Sequence, residues 1–288
     1  MKTVPKNIEL LPVEKGTLAY IVITAVYLIA FSGKSDLSWV HFCVRASAGL
    51  LIFALARAYM LNPHPVVGCV RFFLPFAMLS YWYPETYYFN DFIFSNLDQH
   101  FIAADQLLFG CQPSLEFSKH APWAWFSELM YFGYFSYYFI VFGVALYCYI
   151  KDRKLANRAA FVFICSFYLY YLVFAVLPVV GPQFYFSPPL SEVPDGYVFC
   201  DIMRFLQDTG EKPTGAFPSS HVGITFIVVI FAYGYCRKLL KYILPLFVIL
   251  VLSTVYIKAH YVVDVVGGFA SAAVIYPLVN RLYEKIGV

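Results

Sequence analysis

Two short polar islands interrupt a chain that is otherwise dominated by apolar residues, and they hold the side chains best suited to chemistry. The first is Gly215-Ala-Phe-Pro-Ser-Ser-His221, followed at once by the apolar run 222–235. The second, Lys258-Ala-His-Tyr-Val-Val-Asp264, opens the last apolar run. On a helix, His260 and Asp264 lie at i and i+4, on one face. A carboxylate at that spacing can accept the proton of one ring nitrogen, fix the tautomer, and leave the other nitrogen basic and nucleophilic. His41 and His64 also stand near the mouths of apolar runs, but only His260 has a carboxylate one helical turn away.

In the first island, Pro218 reads as the first residue of a helical turn, and Ser219 or Ser220 as its cap. The first N–H groups of such a helix lack internal partners and lie at the positive end of its dipole, which suits a phosphate. His221 projects from the same turn, so a bound phosphate and an imidazole become neighbours. Two histidines and one aspartate fit phosphoryl transfer through a phosphohistidine better than zinc, which takes three or four protein ligands. No third histidine lies near either island, so no metal is expected at the site and no cofactor is expected elsewhere. Taken singly, these residues have ordinary explanations: Ser219 and Ser220 as a plain cap, His221 as an interfacial polar group. Asp264 is different, because a carboxylate inside a membrane helix costs at least about 2.5–3.5 kcal/mol on insertion scales.

The elements that must position these groups are membrane helices. Of 288 residues, 61% are hydrophobic, 20% aromatic and only 13% charged, with a mean hydropathy of +0.69. Apolar runs of membrane length predict eight helical spans at about 17–33, 38–60, 66–86, 124–150, 159–180, 220–236, 239–257 and 260–278. Arg45 and Arg57 weaken the second and Arg71 the third, so six or seven spans remain open alternatives. The first run has Lys2, Lys6 and Lys15 before it but no Ala-x-Ala-like cleavage site after it, which favours a retained helix over a signal peptide. One transmembrane domain is expected over 1–288, with two long connections, 87–123 and 181–219, as aromatic caps. The second connection is punctuated by Gly181-Pro182, Pro188-Pro189 and Gly215.

With eight spans, fourteen of the twenty Lys and Arg residues fall on the face that holds both termini. Lys34, Lys119, Arg204, Lys212 and Lys258 fall on the other, with Arg45 inside the bilayer towards it. That bias predicts cytoplasmic termini, and it places both islands on the non-cytoplasmic side, periplasmic or lumenal. Five of seven cysteines sit in or beside apolar runs; Cys111 and Cys200 lie in the two long connections of the oxidising face, where a bridge between them is one expectation and two free thiols the other.

The islands carry a resemblance. Pro218-Ser219-Ser220-His221 looks like the second motif of the type 2 phosphatidic acid phosphatase superfamily, and His260-Tyr-Val-Val-Asp264 like the end of its third. The resemblance implies an all-α fold with a six-helix transmembrane core, here with about two additional N-terminal helices, and a metal-independent mechanism. His260 would be the nucleophile, Asp264 its orienting partner, and His221 the acid that protonates the leaving alkoxide. The departures matter as well. Gly181-Pro182-Gln183 stands where the first motif ends in Arg-Pro, and Ser253-Thr254 where the third begins Ser-Arg. A pocket poor in cations suits a phosphodiester, which carries one charge, better than a monoester. Lys258, Arg45 and Lys212 could each supply one positive charge, Lys258 being nearest in sequence, although each could equally be an interfacial snorkelling residue.

This pattern is similar to the inositol phosphorylceramide synthase branch, as is the segment Asp105-Gln-Leu-Leu-Phe-Gly-Cys-Gln-Pro-Ser114 ahead of Glu128-Leu-Met-Tyr131. It implies transfer of inositol phosphate from phosphatidylinositol to ceramide, with lipid substrates as partners and no nucleic acid. Asp105 is expected to serve loop structure and Glu128 a buried bond between helices. Two rival readings stay open. One is a lipid phosphatase acting on phosphatidate or a polyprenyl diphosphate, with water as acceptor. The other is a channel or transporter, where broken helices and an intramembrane Asp also occur.

Overall fold

A computed structural model describes residues 8–32, 39–187 and 193–286; Lys2, Lys6, Lys34, Pro188 and Pro189 lie outside them. The described residues form twelve α-helices and no strand. They are α1 (Pro12–Ala30), α2 (Trp39–Leu61), α3 (Pro65–Glu85), α4 (Asp98–Phe109), α5 (Pro113–His120), α6 (Ala124–Lys151), α7 (Arg153–Phe174), α8 (Pro182–Tyr185), α9 (Val198–Gly210), α10 (Ser220–Tyr235), α11 (Leu240–Tyr256) and α12 (Val262–Ile286). Seven helices are long and apolar enough to cross a membrane, which makes this an integral multi-pass protein; α10, with 16 residues, is the eighth apolar helix and is shorter.

Each expected span coincides with a helix, with displaced ends: α1 starts five residues earlier than expected and α12 ends eight residues later. The run expected at 159–180 is α7, which starts six residues earlier because Asp152 caps it by accepting the Leu155 N–H at 2.7 Å. It stops at Phe174, ahead of Pro178. The two long connections are not plain loops either: α4 and α5 lie in the first, α8 and α9 in the second.

α7 is the hub. Ala156, Ala159 and Ala160 let neighbouring backbones approach, and the continuous stretch Phe161–Ile164 is buried. α1, α3, α6, α10 and α12 all pack against α7. α1 is therefore part of the core: Gly16 faces Cys165, and Tyr20 stacks on Tyr168 with centroids 4.3 Å apart. α2 is peripheral and exposes Leu50, Leu51 and Phe53, as a lipid-facing surface does.

Two arginines inside apolar runs, Arg45 and Arg71, are paired with carboxylates on other helices. Arg45 donates to both carboxylate oxygens of Glu85, at 2.6 and 3.0 Å, and to Thr24 Oγ1 at 3.1 Å. Arg71 likewise grips Glu14 with two donors, at 2.7 and 2.6 Å. Such bidentate pairing lets guanidinium groups be buried.

The helices alternate between two ends. At one end Lys15 Nζ reaches the Ile286 carbonyl, Arg158 faces Glu284, and Cys148 meets Cys236. At the other end His41 meets Glu85, Thr86 meets Thr214, and the two islands meet each other. The bridge expected between Cys111 and Cys200 does not form. Both thiols are free, Cys111 exposed beyond the end of α4 and Cys200 buried against Met130 and Tyr131 of α6.

Candidate active site

The two islands converge because the helices they open are tied at their first turns. Ser219 caps α10, its Oγ accepting the Val222 N–H at 3.4 Å. Its own N–H donates to the Asp264 carbonyl oxygen at 3.0 Å. Pro218, expected to begin the helix, lies before the cap instead, after a cis peptide bond from Phe217. The approach of α10 to α12 requires glycine: a Cβ on Gly268 would lie 2.7 Å from the Ser219 carbonyl oxygen. In the first turn of α10 the Ser220 and His221 N–H groups have no acceptor within the helix.

His260 is buried and its protonation pattern follows from its partners. Nδ1 lies 2.9 Å from the Ala216 carbonyl oxygen. A carbonyl only accepts, so Nδ1 carries the proton and Nε2 holds the free lone pair. The same Nδ1 is 3.5 Å from Asp264 Oδ2. The sequence pointed to Asp264 as the acceptor; the nearer acceptor is the main chain of the first island. Asp264 Oδ2 instead accepts the Tyr261 N–H at 2.9 Å, and its buried charge stands behind the ring. His260 Nε2 faces His221 Nδ1 at 3.5 Å, with the ring planes at 63°. Tyr134 and Tyr137 of α6 flank the His221 ring, at 4.4 and 4.6 Å between centroids, and the Tyr134 hydroxyl is 3.4 Å from Nδ1.

Three carboxylates, Asp98 and Asp105 buried and Glu128 half-buried, build the frame around this pair. Asp98 accepts the N–H groups of Val180 and Gly181 at 2.8 and 2.9 Å, and the Tyr261 hydroxyl at 2.9 Å. It thus pins the segment after α7 to the second island. The Asp98 carboxylate beside it and burial both hold the Tyr261 hydroxyl well above its ordinary pKa. Asp105 accepts the Val262 and Val263 N–H groups at 2.9 and 3.0 Å, capping the helix that carries Asp264. Its expected structural role is therefore specific, and burial pushes its carboxyl up against the pull of those two bonds. Glu128 joins two helices, as expected, although it is half-buried: from α6 it caps α9 by accepting N–H groups of Tyr197 and Phe199 at 2.7 and 2.8 Å. Gly181 completes the frame, with φ of 88° and its α-carbon too close to the Ala259 carbonyl for any side chain.

A cavity of about 290 Å³ ends at His221. Its walls are Phe76 and Tyr83 of α3, Tyr138 and Phe142 of α6, and Phe167 and Tyr171 of α7; Glu211, Ser220 and His221 close it. An aromatic pocket was expected under both long connections, and the second contributes Leu206, Thr209, Gly210 and Glu211, whereas the first contributes none of these walls. Glu211 was not singled out from the sequence. It accepts from Gln183 Nε2 at 2.6 Å and from the Tyr134 hydroxyl at 3.4 Å. Burial pushes its carboxyl up, opposed by Gln183 and by His260.

The expected phosphate-binding groups divide. Ser219 and Ser220 are at the histidine pair, Ser219 buried and Ser220 on the cavity wall. Lys258 is buried, has φ of 65°, and its carbonyl accepts the Gln183 N–H at 2.9 Å. Arg45 is held in the bidentate pair with Glu85 between α2 and α3, which leaves its guanidinium committed there and not to a phosphate. Among the described residues no three His, Cys, Asp or Glu side chains are grouped as a metal would need.

No curated relative and no solved structure matches the chain significantly. The sequence profile of the PAP2 superfamily matches residues 100–278, from the first turn of α4 through most of α12, and so takes in both islands and Asp105, which caps the helix of the second one. With most of its length covered and a lipid phosphatase or phosphotransferase kind of activity thereby supported, the chain belongs to the PAP2 superfamily.

Proposed function

We propose that the protein is a membrane lipid phosphotransferase that moves inositol phosphate from phosphatidylinositol to ceramide through a phosphohistidine. The observation that carries this reading is the His260 Nε2 lone pair facing His221 across 3.5 Å, with His260 Nδ1 tied to Ala216. His260 Nε2 attacks phosphorus, and the P–O bond to diacylglycerol breaks. His221, protonated, gives its proton to the departing alkoxide. The ceramide hydroxyl then attacks phosphorus, His221 takes its proton, and the P–N bond breaks. The N–H groups at the start of α10 and the side chains of Ser219, Ser220 and Lys258 hold the phosphate, whose single charge suits the lack of an arginine ahead of Pro182. The aromatic cavity receives apolar parts of a lipid and excludes water, which a transferase requires. The site faces the non-cytoplasmic side, supported by the clustering of Lys and Arg at the opposite end of the bundle.

The test is incubation with radiolabelled phosphatidylinositol and ceramide in EDTA. Wild-type protein is expected to label the sphingolipid, and His221→Ala and His260→Ala to lose that activity. Free inositol phosphate formed equally with and without ceramide would establish a hydrolase instead.

A further inference from the structure

Two further cavities lie in sequence beside the catalytic chamber, and the phosphoryl chemistry uses neither. The nearer, a vestibule of about 310 Å³, lies among α2, α3 and the end of α9, and is lined by His41, Tyr81, Glu85, Tyr88 and Lys212. It shares Ser80, Pro84, Thr209 and Gly210 with the chamber that ends at His221. The other is an apolar groove of about 610 Å³ between α2 and α3, from Trp39 to Leu51 on one helix and from Leu74 to Trp82 on the other. Tyr81 lines both groove and vestibule. Groove, vestibule and chamber are therefore successive neighbours. α2 and α3 precede the residues that match the superfamily profile, so this path is built largely outside the family core.

The charges of the vestibule do not cancel. Arg45 donates to the two Glu85 oxygens at 2.6 and 3.0 Å, His41 Nδ1 lies 2.7 Å from Oε1, and the Tyr81 hydroxyl donates at 3.3 Å. An ionised carboxylate only accepts, and these four contacts occupy it. Lys212 is different: its ammonium makes no hydrogen bond or ion pair among the described residues. Glu211 just before it is extended, with φ of −85° and ψ of 145°. Extended backbone sends successive side chains to opposite sides, so Glu211 lines the chamber and Lys212 the vestibule. Tyr88 on the vestibule wall is exposed, as aromatic residues are at headgroup level.

From Trp39 to Leu51 α2 rises about 18 Å, a little over half of a hydrocarbon layer about 30 Å thick. The groove thus has the length of one leaflet, and an unpaired cation stands at its polar end. That combination fits an amphiphile with an anionic head and a long apolar tail. A soluble phosphate would leave the groove empty, and a lipid without net charge would leave Lys212 unmatched. We infer that groove and vestibule form a second lipid site, which seats an anionic phospholipid with its phosphate on Lys212 and an acyl chain along α2 and α3, and supplies it to the chamber next door. Occupation of this site does not depend on whether the chamber then transfers or hydrolyses.

The experiment replaces Leu51, in the groove, with the photoreactive residue p-benzoylphenylalanine. The full-length protein is illuminated in phosphatidylcholine nanodiscs that carry a trace of radiolabelled phosphatidylglycerol or of radiolabelled phosphatidylcholine. Cross-linking to phosphatidylglycerol is expected to exceed that to phosphatidylcholine about fivefold, the attraction of one lysine for an anionic lipid. Lys212→Ala is expected to abolish this preference and Lys212→Arg to keep it, which separates loss of charge from loss of folding. Lys212→Ala is also expected to raise KM for an anionic phospholipid by a similar factor with kcat unchanged. Equal cross-linking of the two lipids in wild type, or a preference that survives Lys212→Ala, overturns the inference. So does a preference that soluble glycerophosphoglycerol competes away, or a cross-link to a second copy of the chain in place of lipid. An unaltered KM beside a lost preference overturns the supply role and leaves the catalytic reading standing.

Discussion

Ser219 donates its backbone N–H to the carbonyl oxygen of Asp264 at 3.0 Å, so the first turns of α10 and α12 are joined through main chain alone. Residues 43 positions apart in the order His221 to Asp264 are thereby held in one site by a bond that no side-chain substitution removes directly. What can disturb it is the spacing of the helices.

Gly268→Ala tests that spacing. The new methyl group would lie 2.7 Å from the Ser219 carbonyl oxygen, well inside contact distance, and backbone cannot swing aside as a side chain can. Overpacking of this kind costs about 1–3 kcal/mol. Label transfer is expected to fall by more than tenfold on the order of a misplaced reacting group, measured on protein that remains folded by its unfolding temperature. Unaltered transfer would show that the backbone bond is dispensable.

Asp264→Asn and His260→Ala should differ in severity. The Ala216 carbonyl already holds Nδ1 of His260, so the tautomer survives when Asp264 loses its charge. Removal of His260 eliminates the nucleophile. His260→Ala is expected to abolish the trapped phosphohistidine, whereas Asp264→Asn retains a measurable residue of it, and His221→Ala loses about 10²–10⁴-fold in turnover. Quenched-flow trapping of labelled protein makes the comparison. Equal loss in the Asp264 and His260 variants would argue that the main-chain bond contributes little.

Asp105→Ala removes both acceptors from the start of α12. Loss of an N-cap costs about 0.5–2 kcal/mol. A drop of several degrees in unfolding temperature is expected, with lowered turnover because Asp264 lies on the next residues of that turn. Asp105→Asn, which keeps one acceptor, should lie between.

The Arg45–Glu85 pair predicts a non-additive pattern. Arg45→Met alone strands a buried carboxylate and is expected to destabilise by about 3–5 kcal/mol. Arg45→Met with Glu85→Leu should recover much of that loss. Denaturation of the three variants in one detergent decides it; a double variant no better than the single would remove the ion pair as the explanation.

Glu211 gives the pH prediction. Burial raises its folded pKa above the unfolded value, so the folded protein holds the proton longer. Its contribution to stability is present in full below the unfolded pKa and declines as pH rises through the window up to the raised folded pKa. Wild type is expected to lose unfolding temperature as pH climbs from the ordinary carboxylate range, and Glu211→Gln to show a flatter profile. Parallel profiles would mean that Glu211 titrates alike in both states.

The parts of this arrangement that could be read from the sequence were those whose partners lie close along the chain. His260 and Asp264 are one helical turn apart, and Ser219 caps the turn that presents His221, so spacing alone revealed them. Arg45 was read as a lone cation because its partner, Glu85, is 40 positions away, on another helix. Glu211, Gln183 and Tyr134 belong to three separate segments with no shared motif, and nothing local marks them as neighbours. The start of α7 was misplaced because the apolar run was weighed and the Asp152 cap was not. The helices of the second long connection were hidden by its Pro and Gly content, although Glu128 holds the start of α9 in place.

α10 has 16 residues, which at 1.5 Å each makes a rod about 24 Å long, whereas the hydrocarbon layer of a bilayer is about 30 Å thick. A helix that ends at one surface with Cys236 therefore starts several ångströms short of the other, and the His221 imidazole on its first turn is sunk beneath the plane in which phospholipid phosphates normally float. Either the lipid descends into the protein or the leaflet dimples to meet it. Turnover is for that reason expected to be faster in thin bilayers than in thick ones, measured in vesicles of graded acyl-chain length.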